Sequence, residues 1–358
     1  MSPGLARAEE GGLAGPVELE AEPAREPHYI RAALELAAAL GVGTGWYWID
    51  RERQVADWDF PSWEERLTLD VMRYDNNPFR VNYSWHTFSG ATFHLASRAN
   101  GISFGTSIAL GMGTSLLWEY AFEYREKVSI NDIVFTPGSG IVVGEFVHLL
   151  GRLATEHPRL SRSPALRWML GPLHSAHDTL DGQSSTSLRG PKIWHEATLS
   201  YRMGALSSER IDGDARVDGD GSLHELGFDA TLISLPGFDP SRSQSIGFYT
   251  GGVSRASVRA GIGEDAERTE ASAELFVAGH YRQHHDEASS SAVRTLIGVP
   301  MAYRYRREEA GVFKDRLGIL HMPGLGADLG LRMGEVRADF QVRMHADFVG
   351  VHAMSNKD

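Results

Sequence analysis

The chain of 358 residues carries 35 lysines and arginines against 47 aspartates and glutamates, a net charge of -12, and it has no cysteine. That balance argues against nucleic acid or an anionic headgroup surface as the main partner, and no run of five basic residues reverses it. Absence of cysteine excludes a disulfide framework and a thiolate metal site, while 39 glycines point to tight turns, close helix contacts or barrel strands.

Residues 1–26 are acidic and rich in Gly, Pro and Ala with no apolar core, so they read as a disordered leader and no signal peptide is visible. A helical module is expected over 27–153. Its first helix, 28–40, is expected to end at Gly41, Gly43 and Gly45. Trp46-Tyr47-Trp48-Ile49 follows as an aromatic cluster that suits either a bilayer interface or a packed core. Residues 50–84 read as irregular, with a turn at Asn76-Asn77-Pro78. A second helix covers 85–96 and a third 103–126, the latter carrying two stripes of small residues, Gly105, Ala109, Gly113 and Ser107, Gly111, Ser115. Because Ala99–Trp118 is uncharged and long enough to cross hydrocarbon, the third helix is expected either to span a membrane or to be buried. A fourth helix, 142–153, is expected after Pro137-Gly138-Ser139-Gly140, and 154–192 reads as a polar connector.

From residue 193 the hydrophobic period changes from 3.6 to 2. Strands are expected near 195–205, 225–235, 245–259, 271–282, 293–305 and 325–334. The clearest is 336–348, where Val336, Ala338, Phe340, Val342, Met344, Ala346 and Phe348 oppose Arg337, Asp339, Gln341, Arg343, His345 and Asp347. Such strands exceed the ~5–6 residues usual in soluble sheets and match a tilted membrane strand. The fold class is therefore α+β: a helical module followed, over 193–358, by an antiparallel β-barrel or barrel-like sheet of about seven or eight strands. Its alternative is a soluble sandwich or lipocalin-like barrel with the faces reversed. Outward Phe340, Val342 and Met344 would mean lipid; outward Arg337, Asp339 and Arg343 would mean water. Asp212-Gly213-Asp214, Asp218-Gly219-Asp220-Gly221 and His284-His285-Asp286 read as loops, and the second lacks the glutamate that closes a calcium loop.

Carboxylates on an apolar helix are costly unless paired or used. Glu119 and Glu123 share a helix face, Glu126 follows one turn on, and Asp132 begins the next element with Ser129 as its cap. His86 and His94 lie two turns apart. If the helices pack, these residues form a carboxylate and imidazole cluster able to hold a divalent metal or share a proton. The alternative is structural pairing with Arg98, Arg125 and Lys127. Glu119, Glu123, Asp132 and His86 are thus the catalytic candidates, and a binding or structural cluster adds His94, Arg98, Asn100 and Glu145. No motif requires a cofactor. The Gly-x-Ser-x-Gly elbow, the phosphate loop, the dinucleotide fingerprint and His-Glu-x-x-His are all missing, which removes support from the familiar hydrolase, kinase and dehydrogenase classes.

The combination Asp75-Asn76-Asn77-Pro78-Phe79-Arg80-Val81-Asn82, His86, Gly90, Arg98-Ala99-Asn100-Gly101, Trp118-Glu119-Tyr120, Glu123, Ser129-Ile130-Asn131-Asp132 and Gly140 through Gly144-Glu145 resembles, over residues 28–150, the bacterial family called domain of unknown function 3943. The resemblance implies a Gram-negative envelope protein with a strand-rich C-terminal part and no established activity. The order Glu, Glu, Ser-x-x-Asp, Gly-x-x-x-Gly is also similar to the helical core of VanZ-like membrane proteins. One departure is the end, Ala353-Met354-Ser355-Asn356-Lys357-Asp358, where outer-membrane barrels close on a terminal aromatic residue. The expectation is an outer-membrane-associated protein with a structural, transport or apolar-ligand-binding role and membrane lipid as partner. The alternatives are a membrane-associated hydrolase or lipid-modifying enzyme using the Glu/Asp/His cluster, and a soluble lipocalin-like binding module.

Overall fold

A layer of helices lies across one face of a long-stranded antiparallel sheet in the computed structural model, which describes residues 26–50, 60–74, 77–182, 192–212, 215–235, 238, 244–263, 266–286, 290–310 and 313–355. The expected leader lies outside these residues. The helices are α1 (Tyr29–Asp50), α2 (Trp63–Leu67), α3 (His86–Ala99), α4 (Phe104–Leu117), α5 (Ile130–Glu156), α6 (Pro164–Leu170) and α7 (Pro172–Leu180), with π-helical turns at Val81–Trp85 and Trp118–Phe122.

Several boundaries differ from the sequence reading, each for a physical reason. α1 does not stop at its glycines but runs through them and through the aromatic cluster: Gly41 and Gly45 face open space, and a Cβ on Gly43 would lie 3.0 Å from the Trp118 ring. Glycine weakens a helix interior by ~1 kcal/mol without ending it. The irregular stretch 50–84 contains α2, held by a capping box in which Ser62 and Glu65 bond each other's backbone. The third helix ends as an α-helix at Leu117 and finishes in the π-helical turn; of its two small-residue stripes only Ser107-Gly111-Ser115 is buried. α5 begins at Ser129, whose hydroxyl accepts from the Asp132 N–H at 3.3 Å, and continues through Pro137. The small residues there mark its crossing with α3, since a Cβ on Gly140 would lie 2.3 Å from the Gly90 backbone and one on Gly90 would lie 2.0 Å from Thr136 O. The expected connector contains α6 and α7, both opened by proline at the first turn.

The strands are β1 (Trp194–Asp212), β2 (Ala215–Ile233), β3 (Gln244–Gly263), β4 (Ala266–Asp286), β5 (Ser291–Ala310), β6 (Phe313–His321), β7 (Leu325–Met333), β8 (Val336–Met344) and β9 (Asp347–Ser355). They form one nine-stranded sheet in the order β1-β2-β3-β4-β5-β6-β9, with β7 pairing β5 and β8. β5 carries β6 along Ala302–Ala310 and β7 along Ser291–Gly298. β6 and β7 are therefore one pass broken at 322–324, and β8 and β9 one pass broken at 345–346, so the expected single strand 336–348 is two. Asp218–Gly221 and His284–Asp286, expected as loops, lie inside β2 and β4.

The barrel expectation needs correction, because the sheet does not close: among the described residues β1 pairs only β2, and the β8–β9 edge pairs only β7 and β6. Alternation fixes which way side chains point, whereas closure depends on register and tilt that a period of two does not encode. The sheet curls nonetheless, and an ion pair of 3.3 Å between Arg337 Nη1 of β8 and Glu196 Oε1 of β1 spans the seam.

Face assignment follows the alternation. Phe340, Val342 and Met344 point outward with relative exposures of 57%, 67% and 63%. On the concave side, Arg255 meets Glu274 at 2.9 Å, Arg343 meets Asp328 at 2.6 Å, and Arg259, Arg268 and Arg304 surround Glu225 and Glu270. An apolar cluster that includes Tyr249, Val253, Phe276, Tyr281 and Leu296 packs on this side as well. The helical layer sits on the outer face. Phe104, Phe135, Ile141 and Val142 pack on Ala273, Leu275, Met301, Tyr303 and Leu320, and Leu149 and Leu153 continue the contact to Leu232. Tyr83 lies against the paired glycines Gly318 and Gly350, and the Tyr303 hydroxyl donates to Tyr83 O at 2.6 Å.

Candidate functional site

The predicted cluster exists as two groups rather than one. The first is made where the π-helical turn after α4 meets the start of α5 and the start of α3. Glu119, Glu123 and Asp132 place carboxylate oxygens within 4.8 Å of one another, all three residues buried. Glu119 Oε1 accepts from the Ser129 N–H, and Glu123 Oε2 accepts from Trp118 Nε1 at 2.9 Å. His86 Nδ1, at the N-terminus of α3, lies 3.0 Å from Asp132 Oδ1 and 2.8 Å from Thr136 Oγ1. The π-helical turn explains why i, i+4 reasoning succeeded here: its wider winding still leaves Glu119 and Glu123 neighbours, with Glu123 as the capping residue. Burial, reinforced by the neighbouring carboxylates of Asp132 and Glu123, pushes the Glu119 carboxyl well above the ordinary carboxylate range.

Glu126 does not join them; its Oε1 accepts from the Tyr47 hydroxyl at 3.0 Å. Arg125 lies over the Trp48 ring, 3.4 Å from its centroid, and Arg98 pairs elsewhere. The cation that sequence reasoning missed is Arg66 of α2, whose guanidinium donates to the main-chain carbonyls of Glu119, Glu123 and Glu126. A lone arginine in a five-residue helix carries no periodic signal, so nothing in the sequence announced it.

The second group holds His94, Arg98 and Glu145. His94 Nε2 lies 2.9 Å from Glu145 Oε2, while Arg98 grips both oxygens of Glu145 at 2.8 and 3.0 Å and donates to Ile102 O. Burial alone would raise Glu145, but the Arg98 guanidinium, the hydrogen bond from His94 and the nearby His148 together outweigh it and hold the carboxyl well below its usual range. Burial also lowers His94. This is a satisfied bidentate pair, and it fastens α3 to α5. Asn100 belongs to neither group: it accepts from Arg31 and donates to Glu35 Oε2 at 2.8 Å, and Glu35 in turn meets His177 of α7 at 2.6 Å. His148 and His174, 3.1 Å apart, were also missed by sequence reasoning, because they come from a helix and a supposed connector.

Beside the first group lies an apolar cavity of about 450 Å³. α1 contributes Val42, Trp46 and Tyr47, α3 and its π-helical turn contribute Val81, Trp85, Phe88 and Phe93, and Trp118 closes the side. His86, Ser115, Glu123 and Thr136 form its polar end. Val42, Trp46, Trp85 and Phe88 are exposed at its mouth. The alternation of apolar wall and convergent polar groups is the usual form of a ligand site.

A helical module carrying this site on the outer face of an open antiparallel sheet is the architecture to be placed. Residues 71–173 match the family described as Domain of unknown function (DUF3943). That segment contains both carboxylate groups, His86, and the crossing of α3 with α5. No curated protein matches the chain.

Proposed function

We propose that this is a bacterial outer-membrane-associated protein whose sheet crosses lipid with its strands and whose helical module binds a single apolar chain, such as a lipid acyl tail. The observation that carries the ligand reading is the cavity of about 450 Å³ with an exposed aromatic mouth and a polar end at His86 and Glu123. Binding is preferred to passage because an apolar cluster and ion pairs cross the concave face of the sheet. Support for the lipid setting is the inverted sheet, greasy outside and charged within, the pattern of membrane strands. One helix among the described residues, α5, is long and apolar enough to cross a membrane, but 61% of that window is buried, and we read it as the core helix of the module.

The test is titration of the detergent-purified full chain with a fluorescent polyene fatty acid. Saturable binding at one site per chain is expected, weakened by roughly tenfold or more when Ser89→Trp or Thr92→Trp fills the cavity, a loss of ~1.4 kcal/mol or greater. Equal binding by wild type and both variants, or partitioning no different from empty micelles, overturns the reading.

A further inference from the structure

We propose that Glu119, Glu123 and Asp132, with the His86 imidazole beside them, hold one divalent cation at the polar end of the cavity. Glu119 is 1% exposed, and its Oε2 has no hydrogen-bond donor facing it among the described residues. It faces the carboxylates of Asp132 and Glu123, which are acceptors too. Buried acceptors facing acceptors require something positive between them, and the two candidates are a proton and a metal ion. Arg66 supplies one positive charge but directs its Nη groups at main-chain carbonyls. His86 approaches from a different helix, its Nδ1 3.0 Å from Asp132 Oδ1 and 2.8 Å from Thr136 Oγ1. That arrangement suits a fourth ligand or one that orients Asp132.

Three carboxylates and one imidazole are hard to borderline donors, which favours an ion of the Mn²⁺ or Mg²⁺ class over soft-metal chemistry. The spacing is close enough that an ion reaching ~2.0–2.6 Å to oxygen could gather all three after a small contraction. Resting on the reading of the cavity as an acyl site, the ion would meet the head of the bound chain, so the ligand class becomes one ending in a carboxylate, ester or phosphate. A bare hydrocarbon would leave that end of the cavity unused.

Terbium luminescence tests the ion without any lipid. The Trp118 indole, bonded to Glu123, is placed to sensitise Tb³⁺. For the metal-stripped full chain in detergent, the expected result is saturable sensitised emission at one site per chain, displaced by Mn²⁺. Affinity should fall by roughly tenfold or more in Glu119→Gln and Asp132→Asn and be unchanged in Glu64→Gln on the exposed side of α2. His86→Gln, which keeps a partner for Thr136, is the variant to use if a carboxylate substitution fails to fold, and it should also weaken binding. Non-saturating emission, or equal affinity in wild type and every folded variant, overturns the proposal and assigns a shared proton instead. Fatty-acid binding without terbium binding removes the ion alone; terbium binding without fatty-acid binding removes the cavity reading alone.

Discussion

Individual side chains in the helical module are ordered by burial more than by surface charge. His148 of α5 is buried, and that burial, followed by the nearby Arg98, holds its imidazole well below the ordinary histidine value of 6.5. Glu145 works in the opposite direction, while His174 and Arg152 add to the depression. A histidine with a depressed folded value binds fewer protons folded than unfolded, so stability is full above 6.5 and falls as the pH drops from there toward the folded value. His148→Gln should therefore flatten the acid limb of the stability profile by ~1.4 kcal/mol per pH unit in that window. Denaturant midpoints of the full chain between pH 6.5 and 5 check this, and identical slopes in variant and wild type would refute it. Sequence reading linked Glu119, Glu123 and Asp132 because helical spacing and a cap signal are local, and it joined His86 to them on the condition that the helices pack. It merged His94, Arg98, Asn100 and Glu145 into that group because nothing local says which helix faces which, and it passed over Arg66 and His148 for the same reason.

At the scale of elements, glycine has two opposite meanings in this chain. Gly41 and Gly45 ended α1 in the sequence reading, yet they face open space inside a continuous helix. Gly90 and Gly140 lie where α3 and α5 touch backbone to backbone, and a side chain at either would sit about where another main chain already is. Composition cannot separate a glycine that breaks a helix from one that admits a neighbour; the difference is in the partner. Gly45→Ala is accordingly expected to be stabilising by ~0.5–1 kcal/mol, the ordinary gain of alanine in a helix. Gly140→Ala should be destabilising by about 3 kcal/mol or more, because overpacking at a backbone contact cannot relax by turning a rotamer. Thermal unfolding of the two variants side by side decides the matter, and a destabilised Gly45→Ala or an undisturbed Gly140→Ala would contradict this account of the crossing.

For the whole molecule, the sheet packs one face against the helices and gathers its ion pairs on the other, while apolar residues of β8 on the first face are exposed. The period-two pattern correctly separated the two faces: Phe340, Val342 and Met344 are exposed on the outer one, and Arg343 is drawn into the ion-pair network with Glu274 and Asp328 on the other. Closure was not legible, because a period of two encodes neither the register nor the tilt that would bring β1 to the last edge. Hydrophobic burial cannot be the reason for an exposed apolar face in water, where patches of this extent signal a partner. If lipid is that partner, a charge on the outer face and the removal of a charge from the inner face should differ in kind. Phe340→Arg should cost ~2–4 kcal/mol of stability in bilayers and lower recovery in the membrane fraction. Loss of Arg343 should instead leave Glu274 and Asp328 to share Arg255 as their remaining close arginine, so Arg343→Leu should destabilise the chain in bilayer and detergent alike. Phe340→Arg that is as stable in liposomes as wild type would mean that the outer face meets water or another protein, and the placement of the sheet in lipid would fail with it.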